Sequence, residues 1–459
     1  MKAFVRSVTL IVLVSLFTPF TLVYGAIDLV VDVAIENTPQ ASVAGALNQL
    51  CPKLIADQSQ DKPGTQQLRD LCLALQDASA TPEEKAAAYR AVSAFMVSSE
   101  TSLLMHGPMS MPVEIVDKRL DALRKAAKNA TTAGFQFDMN GQSLITGLQN
   151  DSGGGASADS QSSGRLSGFA TALYTGTEQS ETATLAGFKG KTYGAVVGAD
   201  YRFADSYSSG AALRYAKSNF DLTANGGSLD AGDINLTFYG TYYPQNEWYV
   251  DWTLDYGHGK FDLSRKINFT LTTTNPTPPP ATIPLTVNDT ADSTTNGNLY
   301  GASLGGGYEW LFKNGALAQF NANLRYNQAK TDSYNETSAG GYNLHVEGQS
   351  IDTFQGKLGA QGSKAFSFNW GVLIPQVNVN YVHEFITDGE PINATFVSDP
   401  YNTQFAFTTE KRDSSYFTAA IGVVTILPGG FTAYLQNETF LQMNHYRQSA
   451  WSLGARMEF

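Results

Sequence analysis

The carboxy-terminal part of the chain alternates apolar and polar residues with a period of two. In residues 451–459, Trp451, Leu453, Met457 and Phe459 fall on one side, and mostly small or charged residues fall on the other. Successive side chains of a strand point to opposite faces, so this segment has one apolar and one polar face. A membrane barrel requires this pattern, because its outer face meets lipid and its lumen meets water.

About twelve segments of this kind follow one another along the second part of the chain. In residues 319–327 the apolar positions alternate with Asn and Arg, which would be costly in a dry core and are expected in a hydrated lumen. Short connections such as 313–315 alternate with long ones such as 268–295 and 386–411, as in a barrel with one end at the periplasm. The pattern therefore predicts a 12-stranded antiparallel transmembrane β-barrel over residues 165–459.

Residues 26–133 show helical periodicity instead. Thr38 supplies an N-cap before a proline, and Thr81 forms a capping box with Glu84. The apolar stripes that follow these signals predict a small helical domain with its own core. Residues 134–164 lose the periodicity and contain a Gly- and Ser-rich stretch, which predicts a flexible linker that spans the barrel lumen. The chain is thus predicted to be an α+β multidomain protein.

The first 25 residues have the order of a secretory signal. Lys2 and Arg6 precede an apolar run over residues 8–17, and small residues follow up to Gly25. The run is too short to span a bilayer, so we expect a signal peptide over residues 1–25 and export of the remaining chain.

Composition supports a protein embedded in lipid. Beyond the signal peptide no apolar stretch reaches the ~20 residues that a membrane helix requires. Charged residues make up 16% of the chain and aromatic residues 12%, whereas a typical soluble domain has roughly 25% charged residues. The net charge of −12 and the lack of basic patches argue against nucleic acid as a partner.

Cys51 and Cys72 are the only cysteines of the chain. In an exported protein such a pair predicts a disulfide, which would stabilise the helical domain by roughly 3 kcal/mol. A metal site is the alternative, but it would need further His or Cys ligands nearby, and the closest histidine is His106. We expect no metal and no cofactor.

Several charged residues occupy the polar phase of the predicted strands and should face the lumen. Two interpretations remain open: a solvated network that braces the lumen, or contacts with a strand or helix threaded through the pore. Residues 26–150 contain no paired nucleophile and base, so we expect no catalytic residue and no enzyme activity. The predicted lumen charges are Arg214, Asp251, Asp255, Glu309, Arg325, Lys357, Glu438 and Arg456.

Segments of the predicted barrel resemble strands of the autotransporter family, the type V secretion proteins with a twelve-stranded carboxy-terminal translocator. Residues 194–202 are similar to the second strand of that domain, Pro375 with residues 381–385 to its ninth, and residues 453–459 to its last. Residues 119–124 also look like the helix that often precedes such barrels.

The resemblance implies an outer-membrane protein whose barrel anchors it and translocates or displays the short helical domain at the cell surface. Its partners would be the lipid bilayer and lipopolysaccharide, the barrel assembly machinery and periplasmic chaperones. The last strand, with Trp451, Leu453, Met457 and Phe459, is similar to the assembly signal of outer-membrane barrels. The alternative is a plugged barrel or pore whose helical domain stays in the periplasm or the lumen. The sequence does not indicate a surface target for the helical domain.

Overall fold

The computed structural model describes the helices, the barrel strands and part of the chain between them. The predicted signal peptide 1–25, most of the predicted linker 134–164 and Phe459 lie outside the described residues. The described residues are 37–59, 61–99, 116–117, 119–121, 123–124, 138–139, 142–143, 165–223, 226–244, 247–275, 281–312, 314–427 and 431–458.

Twelve long antiparallel strands form a closed barrel, which confirms the predicted fold class. Each strand pairs with the next one along the chain, and the last pairs with the first, from Tyr446 opposite Gln179 to Glu458 opposite Ser167. Closure provides partners for backbone groups that an edge facing lipid would leave unpaired. The strands are β1 (Leu166–Gln179), β2 (Phe188–Ala204), β3 (Tyr207–Leu222), β4 (Gly227–Tyr242), β5 (Trp248–Asn275), β6 (Ala281–Leu311), β7 (Ala316–Thr331), β8 (Ser350–Lys364), β9 (Gly371–Glu384), β10 (Ser415–Ile426), β11 (Thr432–Leu441) and β12 (Tyr446–Glu458).

Side chains alternate between the lipid-facing side and the lumen. Leu304 of β6 and Leu324 of β7 lie opposite each other in register and are 60% and 51% exposed on the outer face. The adjacent pair, Ser303 and Arg325, has the opposite phase and points into the lumen. Because acyl chains surround the outer face, the exposed leucines contact lipid and not water.

This phase predicts how the barrel responds to an added charge. We expect Leu324→Arg to destabilise the barrel by roughly 2–4 kcal/mol, because the arginine would enter the hydrocarbon near its middle. The matched control is Asn323→Arg, which should destabilise the barrel less because that side chain faces the hydrated lumen. Denaturant unfolding in lipid vesicles measures both variants. A larger loss for the control would contradict the assigned phase.

The two ends of the barrel differ. We call the end where β1 begins and β12 ends the termini end, and the opposite end the loop end. At the loop end β5 and β6 continue as a paired ribbon as far as Asn275 opposite Ala281. Residues 268–295, which the sequence suggested as a long loop, are therefore mostly strand. The described residues of this stretch, 268–275 and 281–295, are ordered because Phe269 and Leu271 are buried in a core that the loop end shares with the helices.

Three helices and a 3₁₀ turn form the helical region, residues 37–99. The predicted capping box is present, since the Glu84 N–H donates to the Thr81 hydroxyl and the Thr81 N–H donates to the Glu84 carboxylate. Within the part of the chain that the structure describes, no helix is long and apolar enough to cross a membrane. The helices are α1 (Pro39–Ala56), α2 (Thr65–Gln76) and α3 (Pro82–Val92), followed by the 3₁₀ turn (Ala94–Val97).

The helical region sits on the loop end and shares one hydrophobic core with it. We call residues 265–275, the part of β5 at the loop end, the β5 extension. Leu47 and Phe95 of the helical region are buried in the same cluster as Ile267 of the β5 extension and Phe396 of the β9–β10 connection. The helical region and the loop end therefore form one folded unit. Four short strands of the loop-end connections pair into a separate sheet: Tyr334–Asn335, Leu344–Val346, Pro391–Phe396 and Phe405–Thr408.

Candidate functional site

A short helical stretch of chain lies inside the barrel lumen. Its described residues, 116–117, 119–121 and 123–124, have helical backbone, and we call them the lumen segment. Its apolar residues Val116, Leu120 and Leu123 are buried in one cluster with apolar residues of β1 to β4. The helix suggested upstream of the barrel by family resemblance is therefore found in the lumen.

Arg119 binds the lumen segment to the wall near the termini end. Its Nε lies 2.6 Å from Asp200 Oδ2 and its Nη2 lies 2.7 Å from Asp200 Oδ1, which is a bidentate pair. The same Nη2 donates to Ser167 Oγ at 2.5 Å, and the guanidinium lies 5.1 Å from the centre of the Phe169 ring. The Arg119 and Asp200 side chains are 3% and 2% exposed, so solvent screens this ion pair little.

Arg124 forms a second anchor. Its Nη1 lies 2.5 Å from Asp251 Oδ2, its Nε lies 3.5 Å from Glu309 Oε1, and its guanidinium stacks 3.6 Å from the centre of the Tyr249 ring. Asp251 is near the start of β5 and Glu309 near the end of β6, so this anchor is also at the termini end.

Lys357 forms a third contact with the lumen segment, nearer the middle of the barrel. Its Nζ lies 2.8 Å from Asp117 Oδ2, and both side chains are partly exposed. Asp251, Glu309 and Lys357 were all predicted to face the lumen. These three residues contact the helical lumen segment, which corresponds to the interpretation that lumen charges bind a segment inside the pore.

Three other predicted lumen charges belong to a network within the wall. Arg214 pairs with Asp233 on the neighbouring strand. Asp255 accepts a hydrogen bond from Thr237 Oγ1 at 2.6 Å, and Arg325 Nη2 lies 3.9 Å from Asp255 Oδ2. This arrangement corresponds to the other interpretation, a polar network that braces the lumen.

The last two strands carry the remaining predicted residues. Glu438 of β11 is buried, and Arg456 of β12 is half-buried, opposite Thr432 in register. Trp451, Leu453 and Met457 are exposed on the lipid-facing side of β12. Their role in barrel assembly stays a prediction.

Sequence reasoning did not single out the wall partners Asp200 and Asp233. Both lie in the polar phase of their strands, so the alternation that identified the other lumen charges could have identified them too. Their partners, Arg119 on the lumen segment and Arg214 on β3, depend on how the barrel closes around the segment.

Polar contacts also fasten the helical region to the loop end. Lys62 Nζ donates to the Asp399 carbonyl at 2.8 Å, and Thr65 Oγ1 donates to the Ser398 carbonyl at 2.7 Å. Between them Gly64 has a φ of +86°, and a Cβ there would lie 2.9 Å from the Gly341 nitrogen. Glycine is required at this position both by its left-handed backbone and by the close approach of the loop.

Arg265, on the β5 extension, is the most buried link between the helical region and the loop end. It pairs with Glu336 through Nε at 2.8 Å and Nη2 at 2.5 Å, and both side chains are 0% exposed. Its Nη1 donates to the Ala91 carbonyl at the end of α3, at 2.7 Å, and its Nη2 donates to the Tyr342 carbonyl at 3.0 Å. One guanidinium therefore joins α3, β5 and the β7–β8 connection.

Two partly buried carboxylates of the helical region accept hydrogen bonds from the β5 extension. The Thr272 hydroxyl donates to Glu84 Oε1 at 2.7 Å and, together with the Thr81 N–H, lowers the pKa of Glu84. The Thr274 N–H donates to Asp77 Oδ2 at 2.7 Å and lowers the pKa of Asp77. Both contacts favour the ionised carboxylates.

The disulfide between Cys51 and Cys72 joins α1 to α2 across a sequence separation of 21 residues. We expect Cys51→Ala with Cys72→Ala to lower the free energy of unfolding of the helical region by about 3 kcal/mol, because the unfolded chain gains conformational freedom. Amide hydrogen exchange in α1 and α2 measures this loss. The wild-type protein treated with a reductant should show the same exchange rates in α1 and α2 as the double variant. Unchanged exchange in both samples would show that the disulfide contributes little.

The lumen and loop-end contacts are ion pairs, hydrogen bonds and apolar packing. Among the described residues, no group of three or more His, Cys, Asp and Glu side chains could hold a metal ion. The arrangement can anchor a threaded chain and hold a folded region at one end of the barrel.

Comparisons with known proteins agree with this architecture. The sequence model of the family described as autotransporter beta-domain matches residues 168–438. Outer membrane protein A of Rickettsia conorii is 26% identical over 246 residues, which cover 52% of this chain and 11% of that protein. Outer membrane protein A of Rickettsia rickettsii is also 26% identical over 246 residues, which cover 10% of its length. The chain thus spans about a tenth of the length of these curated relatives.

Among solved structures, the translocator domain of the autotransporter NalP from Neisseria meningitidis has a similar fold. The TM-score is 0.50 at 15% sequence identity, and the alignment covers 79% of this chain and 99% of that domain. At this identity the likeness shows the fold alone.

Proposed function

Because the chain belongs to the autotransporter β-domain family, we propose that its outer-membrane barrel translocates the helical region and holds it, folded, at the cell surface. Long connections of outer-membrane barrels lie outside the cell and short turns lie in the periplasm. By this rule the loop end faces outward, and the helical region that sits on it is extracellular.

The observation that carries the proposal is the path of the chain. The helical region comes first and lies on the loop end, the lumen segment follows inside the barrel, and β1 then begins at the termini end. The described parts thus lead, in chain order, from the loop end through the lumen to the start of the wall at the termini end. The path is the one expected of a region that was exported through its own barrel.

We propose further that the helical region stays attached after export. It shares a core with the loop end, and the fully buried Arg265 joins α3 to Glu336. Separating the two would expose apolar surface and leave a buried carboxylate without its cation, which is costly. The role of the whole chain is then anchoring and display without catalysis.

Cysteine labelling in intact cells tests the exposure of the helical region. Ala87 is exposed on α3, and Asp205 is exposed in the turn between β2 and β3 at the termini end. A membrane-impermeant maleimide should label Ala87→Cys in intact cells. It should label Asp205→Cys only after the outer membrane has been permeabilised.

The alternative is a plugged barrel whose helical region stays in the periplasm. Labelling of Ala87→Cys only after permeabilisation, in a barrel with normal heat-modifiable mobility on gels, would favour that alternative. Labelling of Asp205→Cys in intact cells would mean that the termini end, and not the loop end, faces outward.

A further inference from the structure

The lipid-facing surface ends toward the loop end in a ring of tyrosines. Tyr193, Tyr215, Tyr256 and Tyr300, on β2, β3, β5 and β6, are all exposed. On β2 the outward positions from Phe203 to Tyr193 extend about 33 Å along the strand, or about 25 Å along the barrel axis at a tilt of about 40°. This matches the height of the apolar band of outer-membrane barrels, and tyrosines mark its boundary with the headgroups.

Lysines follow the tyrosine ring on the same outer face. Lys217 lies two residues beyond Tyr215 on β3, and Lys260 lies four residues beyond Tyr256 on β5. Both lysines are opposite Gly232 of β4 in register, one from each side. The backbones of Lys217 and Lys260 are therefore two strand spacings apart, about 9–10 Å.

The space above Gly232 is open. A Cβ built on Gly232 would meet no atom within 4 Å. Lys191, on β2, is exposed and lies opposite Asn219, two residues from Lys217, so β3 separates it from Gly232. Within the described chain neither Lys191 nor Lys217 has a carboxylate partner. The unpaired ammonium group of Lys217 and that of Lys260 thus border an empty notch.

Charges beyond the lysines set the direction from which a ligand would approach. The next outward row contains Asp230 opposite Asp262, and Lys260 Nζ donates to Asp262 at 2.8 Å. The order from the bilayer outward is therefore tyrosine, lysine and aspartate. An amphiphile fits this order if its acyl chains lie along the apolar band and its anionic headgroup ends at the lysines, because the aspartates repel an anion placed farther out.

We propose that Lys217 and Lys260, on either side of Gly232, bind a phosphate group of the glycolipid in the outer leaflet, lipopolysaccharide. The inference rests on the outward orientation of the loop end in the proposed function. Phosphate is the headgroup anion that this site fits, since two ammonium groups flank a space that glycine leaves free. Each lysine strengthens binding about fivefold, the effect of one basic residue near an anionic surface.

Lipid titration of the purified full chain in detergent tests the site. Diphosphoryl lipid A is compared with the same lipid after removal of both phosphates, with bound lipid counted by native mass spectrometry. Lys217→Gln with Lys260→Gln should weaken binding of the diphosphoryl lipid about 25-fold and leave the phosphate-free lipid unchanged. The matched control is Lys411→Gln, an exposed lysine in the β9–β10 connection, which should change neither.

Two substitutions of Gly232 separate charge from shape. Gly232→Glu places a carboxylate in the notch and should weaken binding of the diphosphoryl lipid at least as much as loss of two lysines. Gly232→Gln fills the same space without charge and should weaken it less. Unchanged binding of the diphosphoryl lipid by the double lysine variant, or equal losses for both lipids, would overturn the proposal. The assay uses isolated protein, so its result does not depend on whether the helical region is found at the cell surface.

Discussion

Replacing Arg265 with alanine should release the helical region from the loop end, at a cost of about 3–5 kcal/mol. The substitution leaves the Glu336 carboxylate buried without a cation, since both side chains are 0% exposed. It also removes the donors to the Ala91 and Tyr342 carbonyls. Amide hydrogen exchange in α3 should become at least a hundredfold faster, because a loss of this size raises the open population by that factor.

A double variant provides the control for this prediction. Arg265→Met with Glu336→Leu removes both charges and keeps apolar volume, and such replacement of a whole buried pair is often neutral or stabilising. Protection of α3 should then stay close to that of the wild-type protein. If the single and double variants lose protection equally, packing and the carbonyl contacts hold the helical region, and the ion pair does not.

Replacing Arg124 with alanine should free the lumen segment from its contact with Asp251 and Glu309. Asp251 and Glu309 would remain in the wall without the cation that now lies between them. Removing one partner of a buried pair costs about 3–5 kcal/mol, so the fraction of barrels with an unseated segment should rise at least a hundredfold. Ion conductance of the purified protein in planar bilayers measures this fraction, because a barrel whose lumen segment has detached should open to ions more often.

The control for this experiment is another ion pair of the same segment. The Lys357 and Asp117 side chains are 25% and 28% exposed, and such solvated pairs contribute about 0–1 kcal/mol. Lys357→Ala should therefore leave conductance nearly unchanged. Equal conductance of the Arg124→Ala and Lys357→Ala variants would mean that burial of the anchor does not determine its strength.

Much of the fold could be predicted because its signals are local. A period of two residues identifies a strand and the face on which each side chain lies, so Leu324 and Arg325 were assigned to lipid and lumen from the sequence. The capping box of Thr81 and Glu84 is similarly contained within four residues. The pairing of Cys51 with Cys72 needed only the export context and the lack of other cysteines.

The sequence by itself thus determined the barrel, the phase of its strands and the helices before it. Only the tertiary structure decided which distant residues meet: Arg119 with Asp200, and Arg265 with Glu336. It also decided that residues 268–295 are mostly strand, because their apolar side chains are covered by the helical region. The physical reason is that alternation specifies the face of a strand and not its neighbour across the lumen. Those neighbours are set by barrel closure, by register and by the path of the chain through the pore.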